Sequence, residues 1–424
     1  WEGYWGATGT KMPYSTAPQY PSQWQPSTAM VAFNPAPNDP FKPTSMPIYQ
    51  SATFIQPSST EFNEYDYTRS GNPTRTALET LVAGMEGSNC DAAFAFSTGM
   101  AALGAMTRIL KAGDEILCNA DIYGGMYRLL GKVVARNGVS VKFVESWNID
   151  NVVKAISSKT RIVHIESPSN PLMHVTDIRK LSAFLHSKSI LLTVDNTIMT
   201  PYLMKPLDLG ADIVVHSATK FFGGHADTMA GFVCCKSKEH SKVIAFHQNA
   251  EGIALSPFDC FLMLRGIKTM PIRMDRGMSN ALKVAEYLAK QPGVKKLHYA
   301  GFLREEDRLA NGEKARAFAL HKTQARGAGV LLSFETGDIQ KSQKFVDALK
   351  IFKITVSFGG CGSVVEMPCN LSHASIPEDE LVLPRDLVRM SVGVEDIGDL
   401  LADVENGLRA MGGSIVAAPS RARL

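Results

Sequence analysis

The chain has 424 residues, of which 45% are apolar, and its formal net charge is +3 with both signs of charge interspersed. This even distribution argues against a nucleic-acid surface, and small metabolites are the expected ligands. The apolar, uncharged run of residues 92–107 is shorter than the roughly 20 residues that a membrane span needs, so no membrane segment is predicted.

The N-terminal 30 residues are rich in Ser, Thr, Pro, Gln and Tyr, which is typical of a linker rather than of an amphipathic presequence. Further along, seven cysteines are scattered without a CxxC pair, and ten histidines show neither HxxxH nor HExxH spacing. Free thiols and no metal site are therefore predicted.

Short apolar runs alternate with helical patterns from about residue 72 to residue 235, which is typical of an α/β domain. This alternation predicts a mainly parallel sheet with helices on both faces. The predicted strands are 92–96, 115–118, 141–144, 162–166, 190–195, 213–216 and 232–235. The predicted helices include 98–110, 124–136, 151–156 and 177–187, the last with Thr176 as its N-cap.

A long helical pattern from residue 256 to residue 289 is expected to lead into a second, smaller α+β domain. Its predicted strands are 329–335, 354–357 and 387–392, and its last helix is expected over 397–411.

Lys220 follows a predicted strand and is surrounded by residues suited to a bound anion. Ser217 and Thr219 carry hydroxyls, and Gly223 and Gly224 let the backbone approach a ligand closely. A lysine in this setting is suited to hold a phosphorylated aldehyde as a Schiff base, as proteins hold pyridoxal 5'-phosphate (PLP). The alternative is an exposed lysine before a loop.

Asp195 ends the apolar run 190–195, where an uncompensated carboxylate would be costly to desolvate. A pyridinium nitrogen is a suitable partner, because a buried carboxylate keeps that nitrogen protonated and the ring electron-withdrawing. The alternative is an N-cap for a helix that begins at Asn196.

Three further segments provide candidate ligands for such a cofactor. Gly99 and Met100 stand at a predicted helix start, where backbone N–H groups can bind phosphate. Tyr123 lies between a strand and a helix, so its ring can stack on the cofactor, although an ordinary half-buried tyrosine fits the same pattern. Arg69 lies in a charged, aromatic loop and can contact a phosphate with two hydrogen bonds.

Arg389 lies in the predicted strand 387–392, among apolar neighbours. A planar, permanently charged group in that position suits a substrate carboxylate. A structural salt bridge to Glu395 or Asp396 is the competing interpretation.

The order of several short motifs resembles the Cys/Met-metabolism family of PLP-dependent enzymes, from about residue 40 to residue 411. The motifs are Tyr67-Thr-Arg-Ser-Gly-Asn-Pro-Thr, Asp121-Ile-Tyr-Gly-Gly, Glu166-Ser-Pro-Ser-Asn-Pro, Val194-Asp-Asn-Thr, Ser217-Ala-Thr-Lys and Arg389-Met-Ser-Val-Gly-Val-Glu-Asp.

This resemblance implies the aspartate-aminotransferase-like fold (fold type I), with a seven-stranded sheet, and a homotetramer formed as a dimer of dimers with shared active sites. It implies an N-terminal extension and arm contacting the neighbouring subunit (1–71), a large PLP-binding domain (72–270) and a smaller C-terminal domain (271–424). The implied cofactor ligands are Lys220, Asp195, Tyr123, Gly99, Met100, Ser217 and Thr219, with Tyr67 and Arg69 from the neighbouring chain. The implied substrate ligands are Asn170, Ser363 and Arg389, with Asp66 for a distal ammonium.

Within that family, segments such as 256–260, 264–270 and 372–377 are most similar to plant-type cystathionine β-lyases. Gly362 also stands where γ-lyases commonly carry glutamate. The resemblance therefore implies β-elimination of L-cystathionine to homocysteine, pyruvate and ammonia, with Lys220 as the base and Tyr123 or Tyr67 assisting proton movements.

Alternatives are a γ-lyase or another carbon–sulfur lyase or synthase of the family, or a non-catalytic PLP-binding scaffold. A nicotinamide enzyme is less favoured, because no GxGxxG follows the first strand. A plastid location follows from the plant-type resemblance, and a cytoplasmic one is the alternative.

Overall fold

The fold is given by a computed structural model that describes residues 19–310, 312–373 and 381–418. Residues 1–18 of the predicted extension and residues 374–377 of the plant-type segment lie outside these ranges. None of the described helices is both long and apolar enough to cross a membrane.

A seven-stranded sheet forms the centre of the larger part of the chain. Its strands have the order β1-β7-β6-β5-β4-β2-β3, and β7 alone runs antiparallel to its neighbours β1 and β6. The prediction of a mainly parallel sheet is confirmed. The strands are β1 (Ala92–Phe96), β2 (Glu115–Asn119), β3 (Ser140–Val144), β4 (Thr160–Glu166), β5 (Leu191–Asp195), β6 (Ile213–Ser217) and β7 (Gly231–Cys235).

Helices cover both faces of this sheet, which explains why its central strands are apolar on both sides. On β4, for example, Ile162 packs into one apolar cluster and its neighbour Val163 into another. The helices of this part are α1 (Pro26–Ala32), α2 (Pro73–Glu86), α3 (Gly99–Thr107), α4 (Gly124–Leu129), α5 (Ile149–Ala155), α6 (Ile178–His186), α7 (Thr200–Leu203), α8 (Lys238–Ala250), α9 (Pro257–Ile267) and α10 (Met270–Ala289).

A second sheet follows α10 and has an apolar cluster of its own. Its order is β10-β11-β12-β9-β8, from strands β8 (Lys296–His298), β9 (Leu331–Glu335), β10 (Lys353–Ile354), β11 (Val364–Glu366) and β12 (Leu387–Ser391). Its helices are α11 (Glu305–Ala310), α12 (Glu313–Gln324), α13 (Ile339–Ala348) and α14 (Ile397–Met411). The domain boundaries at residues 71 and 270 stay predictions.

Two predicted helices differ from the observed ones. The pattern over 256–289 is divided into α9 and α10 by Lys268 and Thr269, because the proline ring of Pro271 cannot continue a helix from the preceding turn. The predicted helix 124–136 ends as α4 at Leu129 and continues as one π-helical and one 3-10 segment to Asn137.

Two local predictions were wrong. The N-cap of α6 is Asp177 rather than Thr176, since the Asp177 carboxylate accepts a hydrogen bond from the Lys180 N–H at 3.0 Å. The predicted strand 354–357 also ends early, at Ile354. Ser357 has a φ of 92°, which no β-strand allows.

Candidate active site

A cavity of about 350 Å³ lies at the carboxyl ends of β4, β5 and β6, which is where ligands bind in open α/β sheets. The start of α3 and the loop that follows β10 close its other sides. The structure brings most of the predicted site residues to this cavity, namely Gly99, Met100, Tyr123, Asn170, Asp195, Ser217, Thr219, Lys220 and Arg389.

Lys220 is removed from bulk water within this cavity. Its Nζ donates to Ser357 Oγ at 2.5 Å and lies 5.0 Å from the centre of the Phe358 ring. Burial, reinforced by the positive charge of Arg389, lowers the pKa of Lys220 from 10.5 to about 8. A neutral amine is therefore accessible near physiological pH, as a nucleophile or a base needs.

The loop after β10 packs directly against the backbone of Lys220. Gly359 has a φ of 86°, and a Cβ there would lie 2.9 Å from the Cβ of Lys220. Glycine is therefore required both for the turn and for the close approach. The positive φ of Ser357 in the same loop places a strained residue beside the lysine amine.

Asp195 lies at the end of β5, beside Glu166 of the neighbouring strand β4. Its Oδ1 accepts from the Thr197 N–H at 2.9 Å, but no helix starts there, since α7 begins at Thr200. Among the described residues no cationic side chain forms an ion pair with Asp195. Burial, and to a lesser extent the negative charge of Asp195, raises the pKa of Glu166. Glu166 therefore favours its neutral form.

The start of α3 offers unpaired backbone donors to the cavity. The Thr98 side chain accepts from the Ala101 N–H at 2.9 Å, whereas the N–H groups of Gly99 and Met100 precede the first helical hydrogen bonds. A Cβ on Gly99 would lie 2.9 Å from Ser217 Oγ, so the hydroxyl lies against this helix start. These groups form a site for an anion.

Thr219 lines the same cavity, but its hydroxyl is shared with the backbone. Its Oγ1 accepts from the Ala230 N–H at 3.1 Å and lies 3.3 Å from the Ala230 carbonyl oxygen.

Tyr123 lies at the entrance of α4, and 39% of its surface is exposed in the single chain. Its backbone N–H donates to Glu166 Oε1 at 3.1 Å. A Cβ on Gly125 would lie 2.2 Å from the ring carbon Cε1, so the glycine makes room for the ring. The ring is thereby held at the cavity wall by the fold.

Arg389 is buried in β12 and has three polar partners. Its guanidinium forms an ion pair with Glu366 at 2.9 Å and donates to Asn170 Oδ1 at 3.2 Å and to the Ser357 carbonyl at 2.7 Å. Its Nε is buried without a hydrogen-bond partner among the described residues. Glu395 and Asp396, the partners expected for a structural salt bridge of Arg389, were wrong, since the acid that pairs with Arg389 is Glu366.

Ser363 was expected at the substrate carboxylate, but the structure does not bring it to the cavity. Its hydroxyl donates to Glu395 Oε2 at 2.9 Å and accepts from the Gly393 N–H at 2.8 Å, which occupies it inside the second sheet domain. Ser357, in the same glycine-rich segment, lines the cavity in its place.

Asp66, Tyr67 and Arg69 lie outside the cavity of their own chain. The Tyr67 side chain is 44% exposed, and the Arg69 guanidinium lies 5.4 Å from its ring centre. Asp66 Oδ1 accepts from the Tyr67 N–H at 2.6 Å. Their expected roles need a second chain and stay predictions.

Four residues at or beside the cavity were not predicted from the sequence, namely Ser357, Glu366, Glu166 and Arg128. Arg128 lies on α4 at the cavity wall and is exposed.

Glu86 at the end of α2, His216 of β6 and Cys234 of β7 place their ligand atoms within 4.8 Å of one another. His216 Nε2 lies 2.5 Å from Glu86 Oε1. These two atoms hydrogen-bond each other directly, whereas Glu86 Oε2 and His216 Nδ1 are buried without a partner among the described residues.

The cavity fits a phosphorylated aldehyde that carries a ring nitrogen. It has an amine of lowered pKa, an unpaired carboxylate, a helix start for the phosphate and an aromatic ring on one wall. These are the groups by which proteins bind and activate PLP.

Comparisons with known proteins agree with this fit. Residues 27–409 match the family described as Cys/Met metabolism PLP-dependent enzyme. A chloroplastic cystathionine β-lyase of Arabidopsis thaliana is 49% identical, over 87% of this chain and 77% of that protein. A cystathionine γ-lyase of Bacillus subtilis is 41% identical, over 86% of this chain and 94% of that protein.

Among solved structures, cystathionine γ-synthase of Xanthomonas oryzae pv. oryzae in complex with cystathionine has a TM-score of 0.86. It is 32% identical and covers 92% of this chain and 98% of its own.

Proposed function

This chain belongs to the Cys/Met metabolism family of PLP-dependent enzymes, and from that premise we propose that it is a cystathionine β-lyase. The proposed reaction converts L-cystathionine and water to L-homocysteine, pyruvate and ammonia. The observation that carries the proposal is the Lys220 amine, of lowered pKa, in one cavity with the unpaired carboxylate of Asp195. The Lys220 amine, a nucleophile and base, therefore lies in the cavity in which Asp195 would keep the nitrogen of a PLP ring protonated.

The proposed PLP ligands are the groups that the cavity offers. Lys220 would bind the aldehyde carbon and Asp195 the ring nitrogen. The N–H groups of Gly99 and Met100, with the hydroxyls of Ser217 and Thr219, would hold the phosphate, and Tyr123 would lie against the ring. When bound, PLP supplies a ring that accepts the electron pair left on the substrate's Cα.

The proton transfers belong to residues of this chain. In its neutral form, which its lowered pKa makes available, the Lys220 amine would remove the proton from the substrate's Cα. Ser357 Oγ, 2.5 Å from Nζ, holds the amine at the cavity wall. As the Cβ–S bond breaks, the departing sulfur needs a proton, and Lys220 or the Tyr123 hydroxyl supplies it.

Two arginines support a substrate with two carboxylates. Arg389, with Asn170, would orient the α-carboxylate beside Lys220, and its unpaired Nε leaves hydrogen-bonding capacity for it. Arg128, on the outer wall of the same cavity, would meet the distal carboxylate. Cystathionine carries an amino-acid group at each end.

Gly362 supports β- over γ-elimination. Glutamate is common at this position in γ-lyases, and here the nearest atom to a built Cβ is Glu395 Oε1, at 3.8 Å. There is therefore space for a larger side chain at this position, but residue 362 itself carries no carboxylate.

The proposed assembly is a homotetramer, a dimer of dimers, in which Tyr67, Arg69 and Asp66 enter the neighbouring cavity. Its support is the exposure of Tyr67 together with Met229 at the cavity wall, where 59% of the Met229 surface is exposed. A plastid location is proposed because the Arabidopsis relative is chloroplastic.

Product identification tests the proposed reaction. Purified holoenzyme is incubated with L-cystathionine, and the oxo acid and thiol products are separated by chromatography. Pyruvate and homocysteine in equal amounts are expected. Formation of 2-oxobutyrate and cysteine would instead identify γ-elimination.

A further inference from the structure

Glu366 lies directly opposite Arg389 on the neighbouring strand. The two residues are register partners in the antiparallel pair of β11 and β12, and their side chains are 0% and 2% exposed. The carboxylate and guanidinium are 2.9 Å apart. The pair is therefore built into the second sheet, at the wall it shares with the cavity.

A second contact fixes the carboxylate of Glu366. Ser372 Oγ lies 2.5 Å from Glu366 Oε1 and 2.9 Å from His373 Nδ1. Burial lowers the pKa of His373 to about 4, so this imidazole is neutral near pH 7. The Ser372 hydroxyl donates to Glu366 Oε1, and His373 Nδ1 lies against the same hydroxyl oxygen.

A buried ion pair of this kind contributes little to stability, because desolvation of both charges offsets their attraction. Its effect lies in geometry and charge. Arg389 cannot lose its proton, and without Glu366 its described polar partners would be the Asn170 amide oxygen and the Ser357 carbonyl.

We propose that Glu366, held by Ser372, is a positioning residue that keeps the Arg389 guanidinium oriented for the substrate's α-carboxylate. This inference rests on the proposed function, in which Arg389 binds that carboxylate. Glu366 is not itself expected to touch the substrate, since it does not line the cavity.

The test compares ligands with and without a carboxylate on the full-length holoenzyme. L-alanine and ethylamine are titrated separately, and their dissociation constants are read from the absorbance of the bound cofactor. Glu366→Gln keeps the side-chain size but removes the charge. We expect the preference for alanine over ethylamine to fall at least tenfold, with ethylamine binding unchanged.

Steady-state kinetics provide the second measurement. For L-cystathionine, KM should rise about tenfold in Glu366→Gln while kcat changes less than threefold, because ground-state placement of the carboxylate is what is lost. Ser372→Ala, which keeps the charge of Glu366, should produce a smaller shift in the same direction. It also serves as the test if Glu366→Gln does not fold.

Glu335→Gln is the matched control. Glu335 is a poorly exposed carboxylate in the same sheet, but it pairs with Lys296 and His298 away from the cavity. The Glu335→Gln enzyme should prefer alanine over ethylamine as strongly as the wild type does.

A third variant separates the two hypotheses. If Arg389→Leu keeps the preference for alanine, the proposed role of Arg389 is wrong, and the inference about Glu366 is overturned with it. If Arg389→Leu loses the preference while Glu366→Gln and Ser372→Ala retain it, the positioning role alone is refuted. Equal weakening of alanine and ethylamine would show a general structural effect and would also refute it.

Discussion

Replacement of Lys220 by methionine should stabilise the cofactor-free protein at neutral pH. Burial and the charge of Arg389 lower the pKa of this lysine from 10.5 to about 8. The folded protein therefore binds fewer protons than the unfolded chain between these two values, and its stability rises with pH across that window. Below about pH 8 the charged amine is a cost to folding.

The size of this cost follows from the shift. A difference of about 2.5 pKa units corresponds to about 3 kcal/mol at pH 7, and it falls to about 1 kcal/mol at pH 10, where the lysine is mostly neutral in the fold. Methionine has a similar length and no charge, so Lys220→Met should remove the cost.

Urea unfolding followed by circular dichroism measures the effect, at pH 7 and pH 10 and at one protein concentration. Lys132→Met provides the control, because Lys132 is exposed. We expect Lys220→Met to be more stable than wild type by about 3 kcal/mol at pH 7 and by about 1 kcal/mol at pH 10. An equal gain at both pH values would mean that packing, and not a desolvated charge, explains it, and the reasoning about the amine would be refuted.

Three further substitutions test other parts of the cavity. Asp195→Asn should lower kcat/KM for L-cystathionine by roughly a hundredfold or more, on the scale of losing a preorganised electrostatic partner, and unchanged kinetics would contradict the ring-nitrogen role. Gly125→Ala should displace the Tyr123 ring, because the new Cβ would lie 2.2 Å from Tyr123 Cε1. The variant should therefore lose the cofactor faster on dialysis. Gly104→Ala, with nothing within 4 Å of its Cβ, is the matched control. Arg128→Leu should lower kcat/KM for L-cystathionine at least tenfold. The kcat/KM for S-(3-aminopropyl)-L-cysteine, which lacks the distal carboxylate, should not change. Equal losses on both substrates would refute recognition of the distal carboxylate by Arg128.

The sequence predicted the parts of the fold that depend on local pattern. The buried runs of β1 and β5 were recognised because both faces are apolar, and Asp195 and Lys220 were expected together because parallel strands end at one edge. Helix ends were less predictable. The amphipathic pattern continues across the break between α9 and α10 at Lys268 and Thr269, and only the local backbone geometry before Pro271 shows where that break falls.

The parts of the site that come from the second sheet were harder to predict. Ser357 and Ser363 lie in one glycine-rich segment, but only Ser357 contacts Lys220, whereas the Ser363 hydroxyl binds Glu395. Glu366 looks like an ordinary strand residue, because its pairing with Arg389 is a cross-strand contact that one sequence does not reveal. Tyr67 needs a second chain for its predicted role.

Covalent trapping identifies the lysine that holds the cofactor. The holoenzyme is reduced with borohydride, digested and analysed by mass spectrometry, with Lys220→Ala treated in parallel. We expect the reduced cofactor on the peptide that contains Lys220, in stoichiometric amount, and we expect it to be absent from the variant. Stoichiometric labelling of another lysine, or full labelling of Lys220→Ala, would contradict it.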